Sequence, residues 1–312
     1  MLMSRPFRFG VSSSGGSAKA DWVELARRVE DRGYSTLLMP DHFGDQLAPV
    51  AALMAAADAT ETLGIGSLVW CNDYRHPVVL AKEAATLDVL SEGRLELGLG
   101  AGWMVSDYEQ SGIELDRAGI RIERMAETVQ ILKGLFADGP VDFDGKHYQI
   151  SGLEGFPKPF QKPHPPIMIG GGGRRMLTLA GQVADIVGVH LNLSPGVIGT
   201  EIAGDALAER FDEKIEWLKQ GAGDRFSDIE LQLRTFVVAI TDDRQGTSEA
   251  LAAGLGITPD QGLNSPLALV GSVEEVAETL LERRERWGLS YVVVGADEYE
   301  AFAPVVARLS GS

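Results

Sequence analysis

Cysteine is nearly absent: Cys71 is the single one among 312 residues. That excludes an internal disulfide framework and fits a reducing cytoplasm. Histidine is scarce, with five residues and no close spacing among them or to Cys71, so there is no zinc signature and no metal is expected. No run of about 18 apolar residues occurs, which leaves no candidate for a membrane-spanning helix. The first residues, Met1 to Phe7, lack the apolar segment of a secretion signal. Positive charge is short as well: 28 Lys and Arg face 45 Asp and Glu, a net charge of −17. Nucleic acid is a poor partner for such a surface, and a cytoplasmic protein acting on a small molecule is the expectation.

What is present is a rhythm. Short apolar runs alternate with amphipathic stretches, each run ending in small or polar residues. The runs are Phe7–Val11, Thr36–Pro40, Ile65–Trp70, Leu95–Gly100, Ile167–Ile169, Ala184–Val189, Glu230–Ala239 and Tyr291–Val294. Short apolar strands covered by helices on both sides belong to a parallel sheet. Helices are expected over Ala20–Arg32, Pro49–Leu63, Pro77–Leu90, Arg121–Phe136, Ala203–Gln220, Val273–Trp287 and Glu298–Leu309. Eight such units in a chain of this length predict a (β/α)8 TIM barrel, with an open doubly wound sheet as the alternative. The reading is one domain over residues 1–312 with two insertions, after strands four and seven. The first, about 138–166, holds a hairpin turning at Asp144-Gly145 and a proline-rich surface segment. The second, about 241–271, reads as irregular, with a short helix around Ser248–Leu255.

In a barrel of this kind the chemistry sits at the C-terminal ends of the strands. The residues there are Ser12 and Ser13, Asp41 and His42, Cys71, Asn72 and Asp73, then Ala101, Gly102 and Trp103. Gly170, Gly171, Gly172 and Gly173 follow strand five, and His190 and Asn192 follow strand six. The four glycines run into a helix, whose first N–H groups lack partners and favour an anion such as phosphate. Arg174 and Arg175 add charge there, although the backbone amides are the better ligands if both side chains point away. His42 is the acid–base candidate because its unperturbed titration lies near neutrality, with Asp41 to orient it. Trp103 is placed to stack on an aromatic ligand or to plug the barrel. His190 is a possible ligand contact, whereas His76 reads as a helix-start residue and His147 and His164 as solvated. Cys71 reads as a lining residue. Asp107-Tyr108-Glu109 reads as a solvated loop and helix cap, with Glu109 keeping a small chance of a functional role.

Four motifs together resemble the luciferase-like monooxygenase superfamily, in its branch of oxidoreductases that use the deazaflavin coenzyme F420. They are Pro40-Asp41-His42-Phe43; Tyr74-Arg75-His76-Pro77 leading to Leu80-Ala81-Lys82; Ser91 to Trp103; and Pro163 to Gly173. The resemblance implies a (β/α)8 barrel, usually dimeric, with the coenzyme ring in the barrel mouth. It implies contacts to the ring from Asp41 and His42, with His42 as proton donor or acceptor. It also implies a cis peptide bond behind the ring near Leu68, Val69 or Trp70, and the coenzyme phosphate on Gly170–Gly173. Two departures stand out. Trp103 occupies the place of the catalytic glutamate of the sugar-phosphate dehydrogenases in this branch, and Leu193 lies near the place of their phosphate-binding lysine. Sugar-phosphate oxidation is therefore disfavoured, and hydride transfer to or from another small organic substrate is expected. The alternatives are an FMN-dependent monooxygenase and a coenzyme-binding protein without turnover.

Overall fold

The computed structural model describes residues 5–16, 18–197, 204–255 and 258–312. Its centre is a closed parallel barrel. In chain order the strands are β1 (Arg8–Ser12), β2 (Thr36–Met39), β3 (Gly64–Ser67) with its continuation β4 (Trp70–Cys71), and β5 (Leu95–Gly100). After an antiparallel hairpin, β6 (Pro140–Asp144) and β7 (Gln149–Glu154), come β8 (Ile167–Gly171), β9 (Ile186–Val189) and β10 (Glu230–Arg234). A separate parallel pair, β11 (Val237–Ile240) and β12 (Ala268–Gly271), precedes β13 (Leu289–Gly295), the last barrel strand. The barrel order is β3-β2-β1-β13-β10-β9-β8-β5, and β3 pairs with β5 through Ile65 and Leu95 to close it. The strands are short and buried on both faces, β2, β9 and β13 along their whole length. Their apolar runs show no alternation for that reason.

Helices cover the outside: α1 (Lys19–Asp31), α2 (Pro49–Asp58), α3 (Pro77–Leu90), a short α4 (Val105–Ser111), α5 (Ala118–Phe136), α6 (Arg174–Val183), α7 (Ala208–Ala222), α8 (Arg244–Leu255), α9 (Pro259–Asn264), α10 (Val273–Trp287) and α11 (Tyr299–Leu309). Their starts follow local chemistry. Pro77 opens α3, where its missing N–H costs nothing, and His76 accepts from the amide of Val78. Ser272 and Glu275 form a reciprocal cap at the start of α10. Among the described residues no helix is long and apolar enough to cross a membrane.

The barrel's lower end is filled by charge. Arg8 reaches Glu96 and makes two hydrogen bonds to Glu230, of 2.7 and 2.6 Å. Its guanidinium lies 3.5 Å over the Tyr291 ring, whose hydroxyl donates to Glu96 at 3.1 Å. Above this plug, Leu38, Met168, Ile186, Tyr291 and Val293 pack with Leu68 and Val69 as an inner core.

Several expected boundaries move. The helix read over Pro49–Leu63 stops at Asp58, and the third strand divides into β3 and β4 on either side of a cis peptide bond between Leu68 and Val69. The run Glu230–Ala239 is two strands in two sheets, β10 and β11. The segment 241–271 contains α8, α9 and β12 rather than one short helix. The helix read from Ala203 is α7, starting at Ala208, and Ala203 itself lies outside the described residues. Helix α4 was not expected at all.

Candidate active site

The strand ends surround a cavity of about 600 Å³ at the C-terminal mouth of the barrel. Asp41, His42, Val69, Ala101, Gly102, Trp103, Gly170–Gly173, Arg174 and His190 all line it. Trp70 and Asn72, expected beside them, are buried and stay out of the lining. Trp70 turns away because alternate residues of a strand face opposite ways and its neighbours Val69 and Cys71 line the cavity, and Asn72 begins the 3-10 turn after β4.

His42 is held by a residue the sequence does not single out. Its Nδ1 lies 2.6 Å from Oδ2 of Asp107. Asp107 is 5% exposed and also accepts from the Tyr74 hydroxyl at 3.1 Å and the Phe43 amide at 3.4 Å. An ionised carboxylate only accepts, so Nδ1 donates and Nε2 is the ring nitrogen left for a ligand. The Trp103 ring stands edge-on to the imidazole, centroids 5.7 Å apart. The reading of Asp107-Tyr108-Glu109 as a solvated loop is thus wrong for two of its residues. Asp107 and Tyr108 are buried on α4, and only Glu109 is exposed.

Asp41 does not orient His42. Its carboxylate is clamped by Arg75, through bonds of 2.6 and 3.3 Å, and accepts from the Cys71 amide at 3.1 Å. It fixes the strand end after β4 instead. The Cys71 thiol meets the Tyr108 hydroxyl, and burial pushes it up to about 11, which fits a lining residue and not a nucleophile. His147 and His164 are half-buried rather than solvated, lying 3.8 Å from Glu123 and Asp185.

The glycine-rich strands prove to serve packing first. A Cβ on Gly98 would strike the Ser67 carbonyl, one on Gly100 would lie 2.5 Å from Val69, and one on Gly170 3.3 Å from it. The glycines of β5 and β8 therefore make room for the bulged Leu68-Val69 segment. Gly172 is equally constrained, because a Cβ there would collide with the backbone of His190 and Leu191. Gly173 differs: its nearest neighbour would be Oδ1 of Asn192 at 3.7 Å. It caps α6, whose first internal bond runs from the Leu177 amide to the Gly173 carbonyl, so the amides of Arg174, Arg175 and Met176 precede it. Arg175 is drawn to Glu123 at 2.8 Å and Arg174 toward Gln220 at 3.5 Å, so both side chains are engaged elsewhere while the first amides of α6 have no partner within the helix.

On the far wall His190 meets Phe236 edge-on at 5.1 Å. Burial, with Lys214 and Arg234 nearby, lowers its pKa to about 4, so the ring is neutral at pH 7. Sequence reading also missed Arg121, Gln232 and Arg234 as lining residues. Arg121 is buried with Nε and Nη1 unpartnered, its guanidinium 5.8 Å from the Tyr108 ring. Among the described residues no cluster of metal-ligating side chains occurs.

A closed parallel barrel with a glycine turn and a histidine–carboxylate pair at its mouth defines the class. The chain belongs to the luciferase-like monooxygenase family, which it matches over residues 1–260. It is 28% identical over 232 residues to an F420-dependent glucose-6-phosphate dehydrogenase of Amycolatopsis mediterranei, covering 72% of this chain and 66% of that one. It is 32% identical over 195 residues to the protein of that name from Microbacterium testaceum, covering 59% of this chain and 56% of that one. The solved coenzyme F420-dependent tetrahydromethanopterin reductase of Methanopyrus kandleri shares the fold, with a TM-score of 0.77, 19% identity and 98% of each chain covered.

Proposed function

We propose that this chain is an F420-dependent oxidoreductase that moves a hydride between the deazaflavin and a small organic substrate. One observation carries the reading: the His42–Asp107 pair and the glycine turn before α6 open into the same cavity. The residues fit the coenzyme. Gly173 presents no side chain, the first amides of α6 are available to a phosphate, and the walls around Val69, Ala101 and Trp103 suit a flat ring. F420, when bound, supplies the hydride chemistry. The protein's part is to hold the ring against the Val69 bulge, to exclude water, and to manage the matching proton. His42 Nε2 gives or takes that proton while Asp107 fixes the ring tautomer. The relatives' names support the coenzyme. Trp103 and Leu193, both lining the cavity, support a substrate other than a sugar phosphate.

Titration of the purified protein with F420 and with FMN, followed by fluorescence, tests the reading. F420 is expected to bind at least about tenfold tighter, a difference of about 1.4 kcal/mol. Tighter FMN binding overturns it in favour of the oxygen-using members of the family.

A further inference from the structure

The wall formed by β10, three strands round the barrel from β2, carries two donors that nothing described satisfies. Arg234 ends β10 and lines the cavity, yet its side chain makes no hydrogen bond or ion pair among the described residues. The carboxylate beside it is Glu298. A Cβ on Gly295 would lie 2.9 Å from Arg234 Nη2 and against Glu298 Oε2, so the two groups flank Gly295 without joining. Glu298 Oε2 is itself buried and unpartnered. Gln232, two residues earlier, shares the inward face of the strand. It is 1% exposed, and its Nε2 has no partner. Gly188, paired with it in register, clears its space, since a Cβ there would sit 2.8 Å from Gln232 Oε1.

A guanidinium held away from water costs free energy until an acceptor bonds to it, and Glu298 flanks Arg234 without bonding to it. Arg234 rests against Phe236, 5.8 Å from the ring centroid, and beside neutral His190. Lys214, the other cation near this wall, is spent on Asp205 Oδ2 at 2.5 Å and on the His190 carbonyl at 2.7 Å. One planar fork therefore serves this wall, which matches the two oxygens of a carboxylate, while Arg121 lines the same cavity from α5. A phosphate dianion would bring a second negative charge toward Glu298 with no second cation on β10 to meet it. Resting on the oxidoreductase reading of this cavity, we propose that Arg234 and Gln232 form the substrate's carboxylate pocket. The substrate is then a small organic acid, anchored on β10 with its reacting carbon toward His42.

Calorimetric titration of F420-loaded protein with cinnamate, methyl cinnamate and phenyl phosphate tests this. Cinnamate is expected to bind at least about tenfold tighter than its ester. Arg234→Gln is expected to erase that preference and Arg234→Lys to keep part of it. Gln232→Leu, a milder change, is expected to weaken cinnamate several-fold and leave the ester unaffected, with F420 affinity unchanged in all three. Equal binding of acid and ester, a preference that survives Arg234→Gln, tighter phenyl phosphate, or no cinnamate binding each overturns the carboxylate pocket. Failure to take up F420 overturns the coenzyme reading instead, and the same probes on coenzyme-free protein then decide the pocket by itself.

Discussion

At the scale of single residues the decisive contact is His42 to Asp107. For His42 in the proton-transfer role proposed above, a buried carboxylate at 2.6 Å fixes the tautomer. Asp107→Asn keeps the shape and loses the charge. It is expected to lower kcat by about 10²-fold with KM and F420 affinity within a few-fold, and Asp107→Glu is expected to restore part of the loss. Steady-state kinetics check this, and an unchanged kcat would remove Asp107 from the chemistry. The sequence made His42 legible because it follows a strand at a barrel mouth. Asp107 was not legible: it lies 65 residues further on, on a seven-residue helix too short to show a period. Asp41, adjacent in sequence, attracted the role that a distant residue fills.

At the scale of elements, the turn from β8 to α6 separates fold from function. Gly172 is a poor probe of the anion site because any side chain there collides with the backbone of Leu191. Gly173 has ordinary dihedrals, φ −88° and ψ 149°, and open space around it. Gly173→Val is therefore expected to fold normally by circular dichroism and to weaken F420 binding at least about tenfold, since a bulky group blocks the amides of the helix start. Native F420 affinity in that variant would place the phosphate elsewhere. Most strands and helices were readable from apolar runs and caps. The split of Glu230–Ala239 into β10 and β11 was not. Neither glycine nor proline marks it; the Thr235 amide turns to Val293 and the Phe236 amide to Leu267, so partners far along the chain decide the break.

At the scale of the whole molecule, His190 ties stability to pH. In the folded protein it titrates near 4, against about 6.5 when exposed. The unfolded chain therefore binds a proton that the native state refuses. The stability this contributes is complete above pH 6.5 and falls as pH drops toward 4. Urea unfolding of coenzyme-free protein at pH 7 and pH 5 is expected to show a loss of about 1–2 kcal/mol from this group. His190→Asn should flatten the difference, and an equal loss in that variant would assign the acid sensitivity to other groups.

The Arg8–Glu96–Glu230 plug has a consequence for access. With the lower end of the barrel filled by a bonded ionic cluster, the mouth ringed by the strand ends is the way into the cavity among the described residues. With the ring against Val69 and the substrate on Arg234, as proposed, both would pass through that mouth.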